Sequence, residues 1–150
     1  MITTSSGDLL RDTAHALVNP VNTVGVMGKG LALQFRRARP EAYQAYRRAC
    51  DRGELRPGVL HLASAADGHR HIVHFLTKRH WRDRSRLSDI NAGLHALVRL
   101  IHQRQIPSIA IPALGSGLGG LPWPEVEALI RHHLEPLREL DVRLYPPHAT

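Results

Sequence analysis

A chain of 150 residues and 16.7 kDa has room for one domain with a real core, which excludes two domains of ordinary size. Twenty lysines and arginines against thirteen acidic residues leave a formal charge of +7, a balance that favours a polyanionic partner or an anionic substrate. The single cysteine, Cys50, excludes an internal disulfide and a cysteine-built zinc site.

The opening MITTSSGDLL has neither a basic leader nor an apolar h-region, and no stretch reaches the roughly 18 apolar residues of a membrane span. A cytoplasmic protein with no membrane partner is expected. In chain order, HALVNP at 15–20 is short, apolar and closed by turn residues, and predicts a strand. NTVGVMGKGLALQF at 22–35 follows, a glycine-rich turn entering a helix, which is the usual way a chain offers bare backbone N–H groups to a phosphate. RPEAYQAYRRACDRG at 39–53 predicts a further helix, with Pro40 at its start and Gly53 at its end. GVLHLAS at 58–64 and HIVHFLT at 71–77 read as strands. Leu87, Ile90, Leu94, Leu97 and Ile101 recur at steps of three and four, the mark of an amphipathic helix. SIAIPAL at 108–114 is the next strand and runs into a second glycine cluster, ALGSGLGGLPW. Val126, Leu129, Ile130 and Leu137 predict the last helix, and VRLYPP at 142–147 the last strand. Strands alternating with helices of this length imply an α/β fold with a largely parallel sheet covered on both faces.

Neither glycine loop is a standard nucleotide motif. A Walker loop would need glycine at 23 and Ser or Thr at 30, where the chain has Thr23 and Gly30. The late loop meets the dinucleotide spacing through Gly115, Gly117 and Gly120, yet the following strand has nothing acidic at its exit to hold a ribose hydroxyl. Two such loops at the carboxyl ends of strands would instead flank one pyrophosphate with backbone donors. No metal and no cofactor are expected. There is no H-E-x-x-H; His71 and His74 lie three apart on a strand and face opposite sides, and His132 and His133 should diverge on a helix.

GDLL at 7–10, ALVNPVNTVGVMGKGLALQF at 16–35, FLTKRHW at 75–81 and IPALGSGLGGLPW at 111–123 together resemble the macrodomain family, which binds ADP-ribose. The likeness spans nearly the whole chain. It is greatest to the branch holding the terminal ADP-ribose protein glycohydrolases and the macrodomains of DarG-type DNA ADP-ribosyl glycohydrolases. The resemblance implies one macrodomain over residues 1–150, a three-layer α/β/α structure with a mixed, largely parallel central sheet. The implied partners are ADP-ribose and either ADP-ribosylated protein or single-stranded DNA, met by a monomer.

Carried over residue by residue, Asp8 matches the acid that accepts the adenine amino group, with Leu9 beside it; Asp8 also reads as a helix cap. Tyr145, at the end of the last strand, matches an aromatic against the adenine face, or is ordinary packing. Met27, Gly28, Lys29 and Gly30 belong to the loop over the distal ribose. Pro112, Gly115, Ser116, Gly117, Leu118, Gly119 and Gly120 belong to the phosphate loop, and Thr77 precedes the catalytic position.

That position is Lys78. It closes the strand HIVHFLT and so can project from the carboxyl edge of the sheet into the crevice. The resemblance makes it catalytic, with Asn22 as its partner. A neutral primary amine beside the charges of Arg79 and Arg82 can attack the anomeric carbon, or it can orient the ribose. One departure stands out: the protein glycohydrolase pattern has aspartate where this chain has Gly119, so no general acid comes from that point. The implied activity is removal of mono-ADP-ribose from Glu or Asp side chains or from thymine bases. A reader of ADP-ribose without catalysis and a deacetylase of O-acetyl-ADP-ribose are the alternatives.

Overall fold

A computed structural model describes residues 1–64 and 70–147. The apolar runs become strands β1 (Ile2–Thr4), β2 (Ala16–Val21), β3 (His61–Ser64), β4 (His71–Leu76), β5 (Ser108–Ile111) and β6 (Asp141–Leu144). They form one sheet in the order β1-β6-β5-β2-β4-β3. Every pairing is parallel except that of β3 with β4. Four helices cover it: α1 (Gly30–Ala38), α2 (Pro40–Asp51), α3 (Leu87–Arg104) and α4 (Trp123–Leu134).

Alternation along the strands sends successive side chains to opposite layers. Ala16, Val18, Val73, Phe75, Ile109 and Ile111 pack in one core with Ile90, Leu94 and Leu97 of α3 and Val126 and Ile130 of α4. Leu17, Ile72 and Ala110, one residue out of phase, pack instead with Phe35 of α1 and Ala42 of α2. The sheet is therefore buried on both faces, in keeping with strands rich in apolar residues. Gly93 lets α3 settle on the Phe75 ring, since a Cβ there would collide with two of its carbons and crowd a third.

The mixed sheet between two helical layers agrees with the expected architecture, with local differences. β1 is three residues long and carries too little pattern to be read from its residues alone. β5 stops at Ile111 because Pro112 has no N–H for the ladder. α4 ends at Leu134, and Leu137 reaches the same core from the turn beyond it. Among the described residues no helix is long and apolar enough to cross a membrane.

β6, β5, β2 and β4 are adjacent and parallel, so their carboxyl ends open on one edge. The chain leaves β2 towards β4 on one side and pairs with β5 on the other. Ligands of open α/β sheets bind at such a switch point.

Candidate active site

Four chain segments leaving those strand ends enclose a cleft of about 1520 Å³. The first begins at Asn22, which is almost fully buried. Its Oδ1 accepts from Val24 N at 3.1 Å and Val26 N at 3.3 Å, and its Nδ2 donates to Val26 O at 2.7 Å. The Tyr46 hydroxyl donates to Asn22 O at 2.7 Å and Oδ1 at 3.1 Å. Burial, and then Cys50, push the Tyr46 phenol far above its ordinary range, so it stays a donor. Asn22 lines the cleft, but most of its amide is spent on folding the loop over residues 22–26.

Met27, expected among the ligand contacts, is instead 1% exposed and packs with Val21, Tyr43, Tyr46 and Leu55. Its side chain, buried in that cluster, anchors the loop from within. Gly28, Lys29 and Gly30 do line the cleft. Lys29 caps α1 without any side-chain bond, and the first helical bond runs from Leu33 N to Lys29 O. The amides of Gly30, Leu31 and Ala32 thus have no acceptor within the helix, and all three residues face the cleft.

The second segment leaves β4. Thr77 N and Lys78 N reach Val21 O at 2.9 and 3.4 Å, which extends the β2–β4 ladder to the cleft edge. Lys78 is half-buried and lines the cleft. Arg79, expected to place its charge beside Lys78, turns away to the buried Asp89 carboxylate at 3.2 and 3.3 Å. Its charge is paired there.

The third segment is the late glycine loop. Gly115 adopts φ +71°, and a Cβ on it would lie 2.7 Å from Leu121 Cδ1, so both conformation and space demand glycine. Ser85 N donates to Gly119 O at 3.0 Å. A Cβ at Gly119 would collide with Ser85 Oγ, come within 3.0 Å of Ser85 Cβ and stand 4.0 Å from Lys78 Cε. Position 119 therefore looks onto the lysine, and Ser85 fills the space that a side chain there would need. Pro112, Ser116 and Gly117 also line the cleft. Gly120 is not in the cleft wall and closes the short turn Gly117–Gly119 in a left-handed conformation. The Leu118 side chain lies outside the described set.

The fourth wall joins the two ends of the chain. Asp8 caps the short turn Leu9–Arg11 through one oxygen, which accepts from Leu10 N at 3.0 Å. Among the described residues the other oxygen has only the exposed Arg11 near it, at 3.9 Å. The cap reading and the cleft reading thus use different oxygens. Leu9 is buried beneath and touches the cleft. Tyr145 follows β6, and its hydroxyl donates to Asp12 Oδ2 at 2.6 Å. Asp12 also receives Arg143 at 2.6 Å and Ala14 N at 2.8 Å. Burial raises the Asp12 carboxyl, but Tyr145, Ala14 and Arg143 together lower it further, to a net value below the usual range. Burial and then Asp12 push the Tyr145 phenol up to about 12. Asp12 and Ser85 are the site-shaping residues that sequence reasoning missed; neither belongs to a motif, and their partners are distant in the chain.

Among the described residues no three His, Cys, Asp or Glu side chains gather where they could hold a metal ion. His74 pairs with His61 across β3 and β4 at 2.8 Å, the two rings stacked, and meets the Tyr46 ring at a tilt. His132 and His133, expected to diverge, meet edge to face at 5.4 Å because His133 turns to bond Asn91.

The sequence model of the Macro domain matches residues 18–130. A DNA ADP-ribosyl glycohydrolase of Mycobacterium tuberculosis is 50% identical over 149 residues, covering 98% of this chain and 42% of that protein. The macrodomain of Mycobacterium tuberculosis DarG superposes with a TM-score of 0.95 at 49% identity, over 99% of each chain. Thermosipho africanus DarTG, solved in complex with ADP-ribose, gives 0.87 at 38% identity, over 96% of this chain and 41% of that one. The chain spans about two-fifths of the length of the curated relatives it matches. With its sheet order, its two glycine loops and these matches, the chain belongs to the Macro domain family.

Proposed function

We propose that this macrodomain binds ADP-ribose and hydrolyses it from ADP-ribosylated DNA, acting as a metal-independent monomer in the cytoplasm. The observation that carries this reading is the place of Lys78, at the exit of β4 and facing Gly119 between the two glycine loops. The names of the relatives at about half identity, DNA ADP-ribosyl glycohydrolases, support DNA over protein as the target.

In this reading the adenine lies between Asp8 and Tyr145, with the open Asp8 oxygen accepting its amino group. The diphosphate lies across the uncapped amides of α1 and the backbone of residues 115–119, where the helix dipole and bare N–H groups stabilise negative charge. The distal ribose then meets residues 22–30, with its anomeric carbon towards Lys78. Hydrolysis breaks the bond from that carbon to the base. The water oxygen ends on the carbon and a proton on the departing base. Lys78 serves by attacking the anomeric carbon or by holding the ribose in the reactive geometry. Asn22 acts through the loop it folds and is a positioning residue. With the space at Gly119 closed by Ser85, no side-chain acid comes from that loop. The leaving group must therefore carry its own charge, as a base that delocalises it can.

The test is a pair of substrates, a single-stranded oligonucleotide and a peptide carboxylate, each carrying mono-ADP-ribose, assayed with EDTA present. Release from the oligonucleotide is expected, and greater than from the peptide. Tight ADP-ribose binding with no release from either would replace the enzyme with a reader. Dependence on a divalent metal would contradict the metal-independent site.

A further inference from the structure

Among the described residues only four large hydrophobic side chains are well exposed: Met1, Val24 (42%), Val26 (38%) and Trp81 (41%). Two of the four stand at one rim of the cleft, and Val24 is carried by the loop that holds one of them. Val26 and Trp81 line it. The loop carrying Val24 is tied to the turn carrying Trp81 where Thr23, through both its amide and its hydroxyl, bonds Arg79 O. Folding gains nothing from leaving these groups in water, and clustered exposed apolar surface marks an interaction site.

The same rim is cationic. The Arg82 guanidinium lies 4.5 Å from the Trp81 ring centroid, and the His80 ring stacks on Trp81 at 5.3 Å. Arg84 lines the cleft beside them, and Arg86 is exposed before α3. Arg79 is matched by Asp89 and drops out of the count. Residues 78–86 then offer Lys78, Arg82, Arg84 and Arg86 against one carboxylate, Asp83. Flat apolar surface with guanidinium groups set into it suits a single strand of nucleic acid, whose bases stack and whose phosphates pair. An acidic peptide would use the cations and leave the aromatic surface idle.

We infer that Val24, Val26, Trp81 and Arg82 form a docking surface for the unpaired nucleotides that flank the modified base. This rests on the reading of DNA as the target. A base delivered into the cleft has left its stack, so its neighbours reach the rim as single strand. The surface supplies strand affinity beyond that for ADP-ribose, and it favours modified single strands over duplex.

Fluorescence anisotropy with an unmodified single strand of about ten nucleotides tests the rim without any need for catalysis. The wild type should bind the strand more tightly than the matching duplex or an acidic peptide of equal charge, and more weakly as salt rises. Trp81→Ala should weaken the strand about tenfold or more, and Trp81→Phe should restore most of it. Arg82→Ala should also lower the salt dependence by about one unit of slope. Affinity for free ADP-ribose should change by no more than about twofold in each variant. Strand affinity untouched in Trp81→Ala, equal binding of the duplex, or an equal loss for the peptide would each overturn the assignment. If strand binding depends on Trp81 but the wild type releases no ADP-ribose from modified DNA, the hydrolase reading falls and the rim stands.

Discussion

Installing aspartate at position 119, as the protein glycohydrolase pattern has it, should damage this fold rather than equip it with an acid. The added Cβ would collide with Ser85 Oγ and sit 3.0 Å from Ser85 Cβ, both in the packed wall beneath Lys78. Overpacking of that kind costs about 1–3 kcal/mol. The Ser85 hydroxyl itself is buried without a protein partner among the described residues. Its removal in Ser85→Ala should therefore leave stability within about 0.5 kcal/mol or raise it, since no bond is broken and a buried polar group is relieved. Ser85→Gly removes both colliding atoms, at a backbone cost of about 0.5–1 kcal/mol. Urea unfolding reads the cycle. With a slope of about 2 kcal/mol/M, Gly119→Asp should lower the midpoint by roughly 0.5–1.5 M at unchanged slope. Combined with Ser85→Gly, it should recover at least about 1 kcal/mol relative to the sum of the single changes. Additivity within about 0.5 kcal/mol would refute the claim that these two positions share one space.

Asp8→Ala should weaken ADP-ribose by about 10- to 100-fold through loss of a charge-assisted bond to adenine, while ribose 5-phosphate binding changes little. Asp8→Asn can still cap Leu10 N, so a loss shared by alanine but spared by asparagine, and equal for both ligands, would leave Asp8 as a cap alone. The buried His74 is held neutral, its pKa pushed down to about 3 first by burial and then by His61. The unfolded chain takes up that proton near pH 6.5, so the stability that His74 secures is present above pH 6.5 and is lost as pH falls towards 3. Urea unfolding from pH 7 to 4.5 should show the decline, and His74→Phe should flatten it; an unchanged slope in the variant would assign the pH dependence elsewhere.

Much of the architecture is legible in the residues because both faces of the sheet are buried. That produces short runs rich in Val, Ile and Leu, and the periodic Leu and Ile of α3 identify the covering helix. The cleft is legible to the same degree: Lys78 ends a recognisable strand, and the glycine loops follow strands, so topology alone brings them to one edge. What the residues do not disclose depends on partners remote in sequence. Arg79 is drawn to Asp89 in the first turn of α3 and away from its neighbour Lys78. Asp12 meets Arg143 and Tyr145 from the opposite end of the chain. Met27, set in a glycine-rich loop, looks like a ligand contact until its packing against Val21, Tyr43 and Tyr46 is visible. Ser85 carries no motif at all, and its part is apparent only from the missing Cβ at Gly119.

Binding and turnover measured together on Lys78→Ala bear most directly on the account. The adenine and diphosphate contacts assigned to Asp8, Tyr145, α1 and residues 115–119 do not involve the amine. ADP-ribose affinity by calorimetry should therefore stay within a few-fold of wild type, while release of ADP-ribose from a modified single-stranded oligonucleotide should fall at least about a thousandfold, the scale of losing a group that acts only in the transition state. Release at the wild-type rate by Lys78→Ala would contradict the assignment of Lys78 as the catalytic residue.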